Sequence, residues 1–240
     1  MSNVAVIFAG GTGQRMNTKT KPKQFLELHG KPILVYTLEE FQRAPSVDGI
    51  ILVMLENWIS FSEGLIEQYR IEKVKAIVPG GASGQQSIFN GIQKAQSMYP
   101  DDSVVLIHDG VRPLIDVETI EKCISCTRKN GSAITVSPAI ETVALLDNEG
   151  NVGQILPRSM CQMAKAPQCF KLNEIYVAHL NAKAAGKNDF VDSASLMQFY
   201  GYQLQVVQGP AENVKITTPG DFYIFRAIVD ARENSQIFGL

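Results

Sequence analysis

The sequence predicts an α/β protein: a doubly wound, mostly parallel sheet in one domain spanning residues 1–240. Three observations carry that expectation. Apolar runs at Val4–Ala9, Ile50–Leu55 and Ser103–Ile107 read as strands buried on both faces. The segments between them carry apolar residues at helical spacing. Strands and helices alternate in this way from Val4 to Arg128, the pattern of a parallel sheet covered on both sides.

Taken in order, Val4–Ala9 is a strand that ends in glycines, and Ile33–Phe41 is a helix after Lys31-Pro32. Ile50–Leu55 is the next strand and Trp58–Tyr69 the next helix. Ala76–Val78 is a short strand closed by Pro79-Gly80-Gly81. Ser83–Met98 is a helix with Ser83 as its N-cap. Ser103–Ile107 is a strand ending at His108-Asp109-Gly110, and Val117–Arg128 is helical. Ala133–Val136 then reads as a strand. Glu141–Leu146, the turn Asp147-Asn148-Glu149-Gly150 and Val152–Leu156 read as a β-hairpin. That hairpin is either an arm over about residues 138–160 or an ordinary edge hairpin. Helices at Leu172–Ala185 and Asp192–Tyr200, a strand at Gln203–Val207 and a helix at Pro219–Glu233 complete the chain.

With 45% hydrophobic and 19% charged residues the composition is that of a folded globular chain. A net charge of −2 argues against a protein that coats nucleic acid, which carries a basic excess. A nucleotide ligand stays open, because a few placed cations suffice for it. No run approaches the about 18 apolar residues of a membrane span, and the N-terminus lacks the features of a signal peptide. Cys123 and Cys126 form a C-x-x-C inside a predicted helix, with no second pair or clustered His. Small buried hydrophobes are the better reading, and four cysteines used this way suit a reducing, cytoplasmic setting.

In an open α/β sheet, ligands bind beyond the carboxyl ends of the strands. Three loops fall there. The first, Gly10-Gly11-Thr12-Gly13-Gln14-Arg15-Met16, lets backbone N–H groups approach phosphate oxygens. It lacks the Gly-Lys-Ser/Thr ending of a Walker loop, and Met16 stands where the dinucleotide fingerprint needs its third glycine. Lys21-Pro22-Lys23 follows, so Arg15, Lys23 and Lys19 or Lys21 gather near one rim, as a polyphosphate requires. The second rim loop is Pro79-Gly80-Gly81. The third is His108-Asp109-Gly110-Val111-Arg112-Pro113. Its carboxylate, beside a phosphate loop, suits Mg²⁺, which takes one or two carboxylates plus phosphate oxygens. Arg112 pairs with Asp109 or holds the loop. Lys215 is expected at a strand end before a helix capped by Thr218 and started by Pro219.

Five motifs in order along the chain carry a resemblance: Ala9–Met16 with Pro22-Lys23-Gln24-Phe25, then His108–Pro113, Ala166-Pro167-Gln168-Cys169-Phe170, Asp192-Ser193-Ala194-Ser195 and Asn213-Val214-Lys215-Ile216-Thr217. Together they resemble the cytidylyltransferases acting on 2-C-methyl-D-erythritol 4-phosphate and on ribitol 5-phosphate. The resemblance implies CTP and a polyol phosphate as substrates and Mg²⁺ as cofactor. It implies that Ala9, Gly10, Gly11, Thr12 and Gly13 bind the nucleotide. Arg15 and Lys23 would hold the triphosphate, Gly80, Gly81 and Ser87 the base, and Asp109 the metal. Lys215, Arg112 and Asp192 would meet the second substrate. The arm would make a homodimer and carry Thr142 and Arg158 into the partner's site.

Five positions depart from the erythritol pattern: Gly84 stands where both enzyme types carry an Arg, Val191 and Ala166 each replace a Thr, and Gly110-Val111 replaces Ala-Ala. The departures other than Gly84 favour an alditol phosphate, ribitol 5-phosphate first, over the erythritol substrate. The ribitol product would feed teichoic-acid-like or capsular polymers, the erythritol product isoprenoids. Two other readings remain: a nucleotide-binding regulatory protein, and a sugar-1-phosphate nucleotidyltransferase using another base.

Overall fold

The computed structural model describes residues 1–11 and 21–238, with the side chains of 235–238 excepted. The expected positions Thr12, Gly13, Arg15, Met16 and Lys19 lie outside the described residues.

The elements run β1 (Asn3–Ala9), β2 (Glu27–Leu28), β3 (Lys31–Pro32), α1 (Ile33–Arg43), β4 (Gly49–Met54), α2 (Ile59–Gln68), β5 (Val74–Pro79), α3 (Gly84–Gln96), β6 (Val104–Asp109) and α4 (Val117–Asn130). After them come β7 (Ser132–Pro138), β8 (Val143–Leu146), β9 (Val152–Leu156), β10 (Gln162–Lys171), α5 (Leu172–Ala184), α6 (Ser193–Phe199), β11 (Val206–Gln208) and α7 (Pro219–Phe238). No helix among the described residues is long and apolar enough to cross a membrane.

Seven strands form one sheet in the order β11-β7-β10-β6-β1-β4-β5. β10 runs antiparallel to both neighbours, and the other pairings are parallel. β1 explains why its run is continuously apolar. Ala5, Ile7 and Ala9 face one layer with Leu34, Leu38 and Phe41 of α1. Val4 and Val6 face the other with Ile88 and Ile92 of α3. Both faces are buried, so no polar alternation is possible. The helix ends follow side-chain chemistry: Ser83 accepts from Gln86 N at 3.1 Å and Asp116 from Thr119 N at 2.6 Å.

The structure corrects the sequence in two places. β10 was not expected, because Pro167 interrupts it and a proline inside a run argues against a strand. Here Pro167 follows a cis peptide bond, and the β10–β7 register shifts between Ala164 and Gln168. The bulge absorbs the missing N–H. Lys215 does not end a strand. Segment 209–218 carries none and is held by tertiary hydrogen bonds instead.

β8 and β9 pair only with each other, so the hairpin does not extend the edge of the seven-stranded sheet. Leu146, Val152 and Ile155 on it are each at least 60% exposed, so the arm lacks a core of its own.

Candidate active site

The strand order reverses beside β1, since β4 and β5 continue on one side and β6 lies on the other. Phe8 pairs in register with Asp109 across that switch point. A crevice opens where the loops after β1 and β6 diverge.

The larger cavity there, about 590 Å³, is lined by Gly10, Gly11, Lys23, Ser87, Asp109 and Lys215, with Ala9 and Gly81 beside them. Local packing explains how Lys23 reaches it. Gln24 and Phe25 are both buried. The Gln24 amide donates to the Ala9 carbonyl at 2.6 Å, and Phe25 stacks on Trp58. These anchors tie the short turn to the end of β1 and leave Lys23 to donate across the cleft to the Ile216 carbonyl at 2.8 Å.

The loops after β1 and β5 meet at Ser87. Its hydroxyl accepts from Gly81 N at 3.0 Å and donates to the Ser83 carbonyl at 2.9 Å. A Cβ at Gly80 would come within 3.1 Å of that hydroxyl and 3.5 Å of the Gly10 Cα. The first contact is tight, so a side chain at Gly80 would have to displace the Ser87 hydroxyl by a few tenths of an ångström, whereas glycine fits without a shift. Gly84 is different, with nothing within 4 Å of an added Cβ. Gly84→Arg should therefore fold normally, with stability within about 1 kcal/mol of the parent because helix propensity offsets the helix dipole. Thermal melts of the two proteins check this.

A second cavity of about 290 Å³ adjoins the first. Phe8, Gly84, Asp109 and Lys215 line both. Arg112, Gln168, Asp192 and Lys165 line the second. Asp109 is buried at the shared wall. Lys215 Nζ lies 2.5 Å from its Oδ1, and Arg112 Nε lies 2.7 Å from its Oδ2. Burial alone would raise its pKa, but Lys215 and then Arg112 outweigh burial and bring it to about 2. Asp109 is thus ionised throughout the neutral range. Arg112 also donates to the Asn213 carbonyl at 2.9 Å, so it both pairs with Asp109 and holds the loop.

Asp192 is the N-cap of α6. It accepts from Ser195 N and Oγ on one oxygen and from the Gln168 amide on the other. It reaches the second cavity as a fixed wall. His108 is buried against Phe41, its pKa lowered by burial to about 4, with its Nε2 3.2 Å from the Arg112 carbonyl. It is a neutral core residue.

The structure brings Ala9, Gly10, Gly11, Lys23, Gly80, Gly81, Ser87, Asp109, Arg112, Asp192 and Lys215 to one crevice. Thr142 and Arg158 are not among them. Both are exposed on the arm, and Arg158 donates to the Ile140 carbonyl at 3.2 Å. Sequence reasoning missed Lys165, which stands on the unforeseen strand, and His179, whose lone position on α5 gave no signal.

His179 lines the second cavity and stacks on Phe89. Burial lowers its pKa from 6.5 to about 4. The unfolded chain therefore binds a proton here that the native state refuses. Stability from this group is complete above pH 6.5 and is lost as pH falls from 6.5 toward 4. The urea midpoint should drop between pH 7.5 and 5, as about 1.4 kcal/mol per pH unit per group implies. His179→Phe should remove about half of that slope, since His108 carries the same lowered pKa of about 4 and keeps its share.

A family model described as 2-C-methyl-D-erythritol 4-phosphate cytidylyltransferase, IspD, matches residues 3–231. The chain is 48% identical to ribitol-5-phosphate cytidylyltransferase of Streptococcus agalactiae serotype V over 240 residues, all of both chains. It is 50% identical to the protein of that name from Vibrio parahaemolyticus serotype O3:K6, covering 99% of this chain and 100% of the other. The crystal structure of 4-diphosphocytidyl-2C-methyl-D-erythritol synthase from Anaerococcus prevotii superposes with a TM-score of 0.82 at 28% identity, over 95% of this chain and 96% of that one. The chain is thus a nucleotidyltransferase and belongs to the 2-C-methyl-D-erythritol 4-phosphate cytidylyltransferase family.

Proposed function

We propose that the protein transfers the cytidylyl group of CTP to ribitol 5-phosphate, forming CDP-ribitol and pyrophosphate. The observation that carries this reading is the pair of cavities sharing Asp109 and Lys215. CTP would occupy the larger and the polyol phosphate the smaller, so that their phosphates meet at the shared wall. The names of the nearly half-identical relatives support ribitol 5-phosphate as acceptor.

The chemistry fits the residues. An oxygen of the acceptor phosphate forms a bond to the α-phosphorus of CTP, and the bond from that phosphorus to the bridging oxygen of pyrophosphate breaks. A phosphate monoester has its second pKa at about 6, so the nucleophile is already ionised and needs no general base. The barrier lies in bringing anions together. Lys23 would neutralise the triphosphate, and Lys215 would leave Asp109 to meet the acceptor phosphate. Arg15 is expected to join Lys23. Asp109 is a single buried carboxylate beside the phosphate cleft, a donor set that fits Mg²⁺ once nucleotide oxygens complete the shell. Bound there, Mg²⁺ would supply charge stabilisation at the α-phosphate. The exposed apolar arm fits a homodimer in which Thr142 and Arg158 reach the partner's smaller cavity.

The family model's own description favours a second acceptor, 2-C-methyl-D-erythritol 4-phosphate. A matrix of CTP, UTP and GTP against ribitol 5-phosphate, 2-C-methyl-D-erythritol 4-phosphate, arabinitol phosphate and glycerol phosphate decides. Pyrophosphate release should be fastest with CTP and ribitol 5-phosphate. Equal rates across the polyols would defeat the acceptor assignment, and no release with any pair would favour a binding protein.

A further inference from the structure

One cation at the crevice has no role in the mechanism above. Lys165 precedes the Ala166–Pro167 bond on β10, is half-buried, and lines the smaller cavity beside Arg112, Asp192 and Lys215. Its ammonium donates to the carbonyls of Ala211 at 2.8 Å and Asn213 at 3.4 Å. Arg112 donates to the same Asn213 carbonyl at 2.9 Å. Two cations thus converge on one neutral oxygen.

The charges facing this cavity do not balance. Lys165, Arg112 and Lys215 stand against Asp109 and Asp192. Asp109 is taken by Arg112 and Lys215, and Asp192 by Ser195 and Gln168. Glu212 also acts on Lys165, but its pull is weaker than burial or the repulsion from Arg112. The Lys165 ammonium is therefore held below its usual pKa, first by burial and then by Arg112. The adjoining wall at Ala166 and Val191 offers no side-chain hydroxyl to an anion. An anion with several acceptor oxygens would supply the missing counter-charge.

We propose that Lys165 is a substrate-binding residue whose ammonium takes the phosphate of the polyol acceptor together with Arg112 and Lys215. This rests on the acceptor cavity assigned above. Lys165 would grip an oxygen that does not attack, so it governs acceptor affinity more than the chemical step.

The test compares Lys165→Gln and Lys165→Arg in the full chain with CTP and ribitol 5-phosphate. Loss of one charged hydrogen bond should raise the acceptor KM by about 10- to 100-fold in Lys165→Gln. The KM for CTP and kcat at saturating acceptor should move less than about twofold, and Lys165→Arg should recover most of the loss. Calorimetric titration of ribitol 5-phosphate into protein loaded with a non-hydrolysable CTP analogue should show the same loss. A lysine that only staples segment 211–213 would instead lower kcat and thermal stability together, because Lys215 would move. That result, or an unchanged acceptor KM, overturns the proposal while wild-type transfer stands. Wild-type protein that uses no polyol phosphate would overturn the functional reading itself.

Discussion

Lys23→Ala is expected to cut turnover of CTP and ribitol 5-phosphate by about 10²- to 10³-fold, the usual loss when one preorganised donor to a developing oxyanion is removed. The fold should survive. Lys23 is half-buried and spans the cleft, while the neighbouring Gln24 and Phe25 do the packing. Thermal melting should therefore shift little as kcat/KM collapses. Lys23→Arg should recover only part of the rate, because a planar fork replaces a point charge. Near-normal turnover in Lys23→Ala would remove Lys23 from the mechanism.

Asp109→Asn should have an effect as large, with a more specific signature. Its carboxylate is the buried group at the wall of both cavities, and it holds two cations in place. Removing its charge makes the nucleotide cleft more positive. Metal-free CTP should then bind at least as tightly as to wild type, while the enhancement by Mg²⁺ disappears and turnover falls by about 10³-fold. Titrations of CTP with and without Mg²⁺ separate the two effects. Mg²⁺ dependence retained in Asp109→Asn would place the metal elsewhere.

Stability carries a second mark of the same residue. Asp109 has a depressed folded pKa, so its contribution is present above the unfolded value of 3.8 and is lost as pH falls toward about 2. Asp109→Asn should lose about 2 kcal/mol at neutral pH and show a shallower acid limb below pH 3.8. Denaturant melts across that range check the sign.

Much of the fold was legible because its strands are unusually explicit. β1, β4 and β6 are apolar on both faces, and only a strand in the middle of a parallel sheet meets that demand. Helix starts at Ser83 and Asp192 were readable because capping is a contact within about one turn of chain. β10 was not readable. Its place between β6 and β7 depends on partners far away in sequence, and Pro167 masks its local pattern.

The site divides along the same line. Residue order alone supplies the parts: a glycine loop after an apolar strand, Lys23 downstream, a carboxylate at Asp109 and the ordered motifs that point to a family. Those are local signals, written in residue type and spacing. Tertiary structure alone decided how the parts combine. It placed Asp109 between Lys215 and Arg112, closed Ser87 onto the Gly80 loop, set Thr142 and Arg158 outside their own chain's crevice and brought Lys165 into it. The reason is physical. Ion pairing and burial act through distances of a few ångströms in space, and residues 109 and 215 become neighbours only when the sheet's switch point brings their loops together.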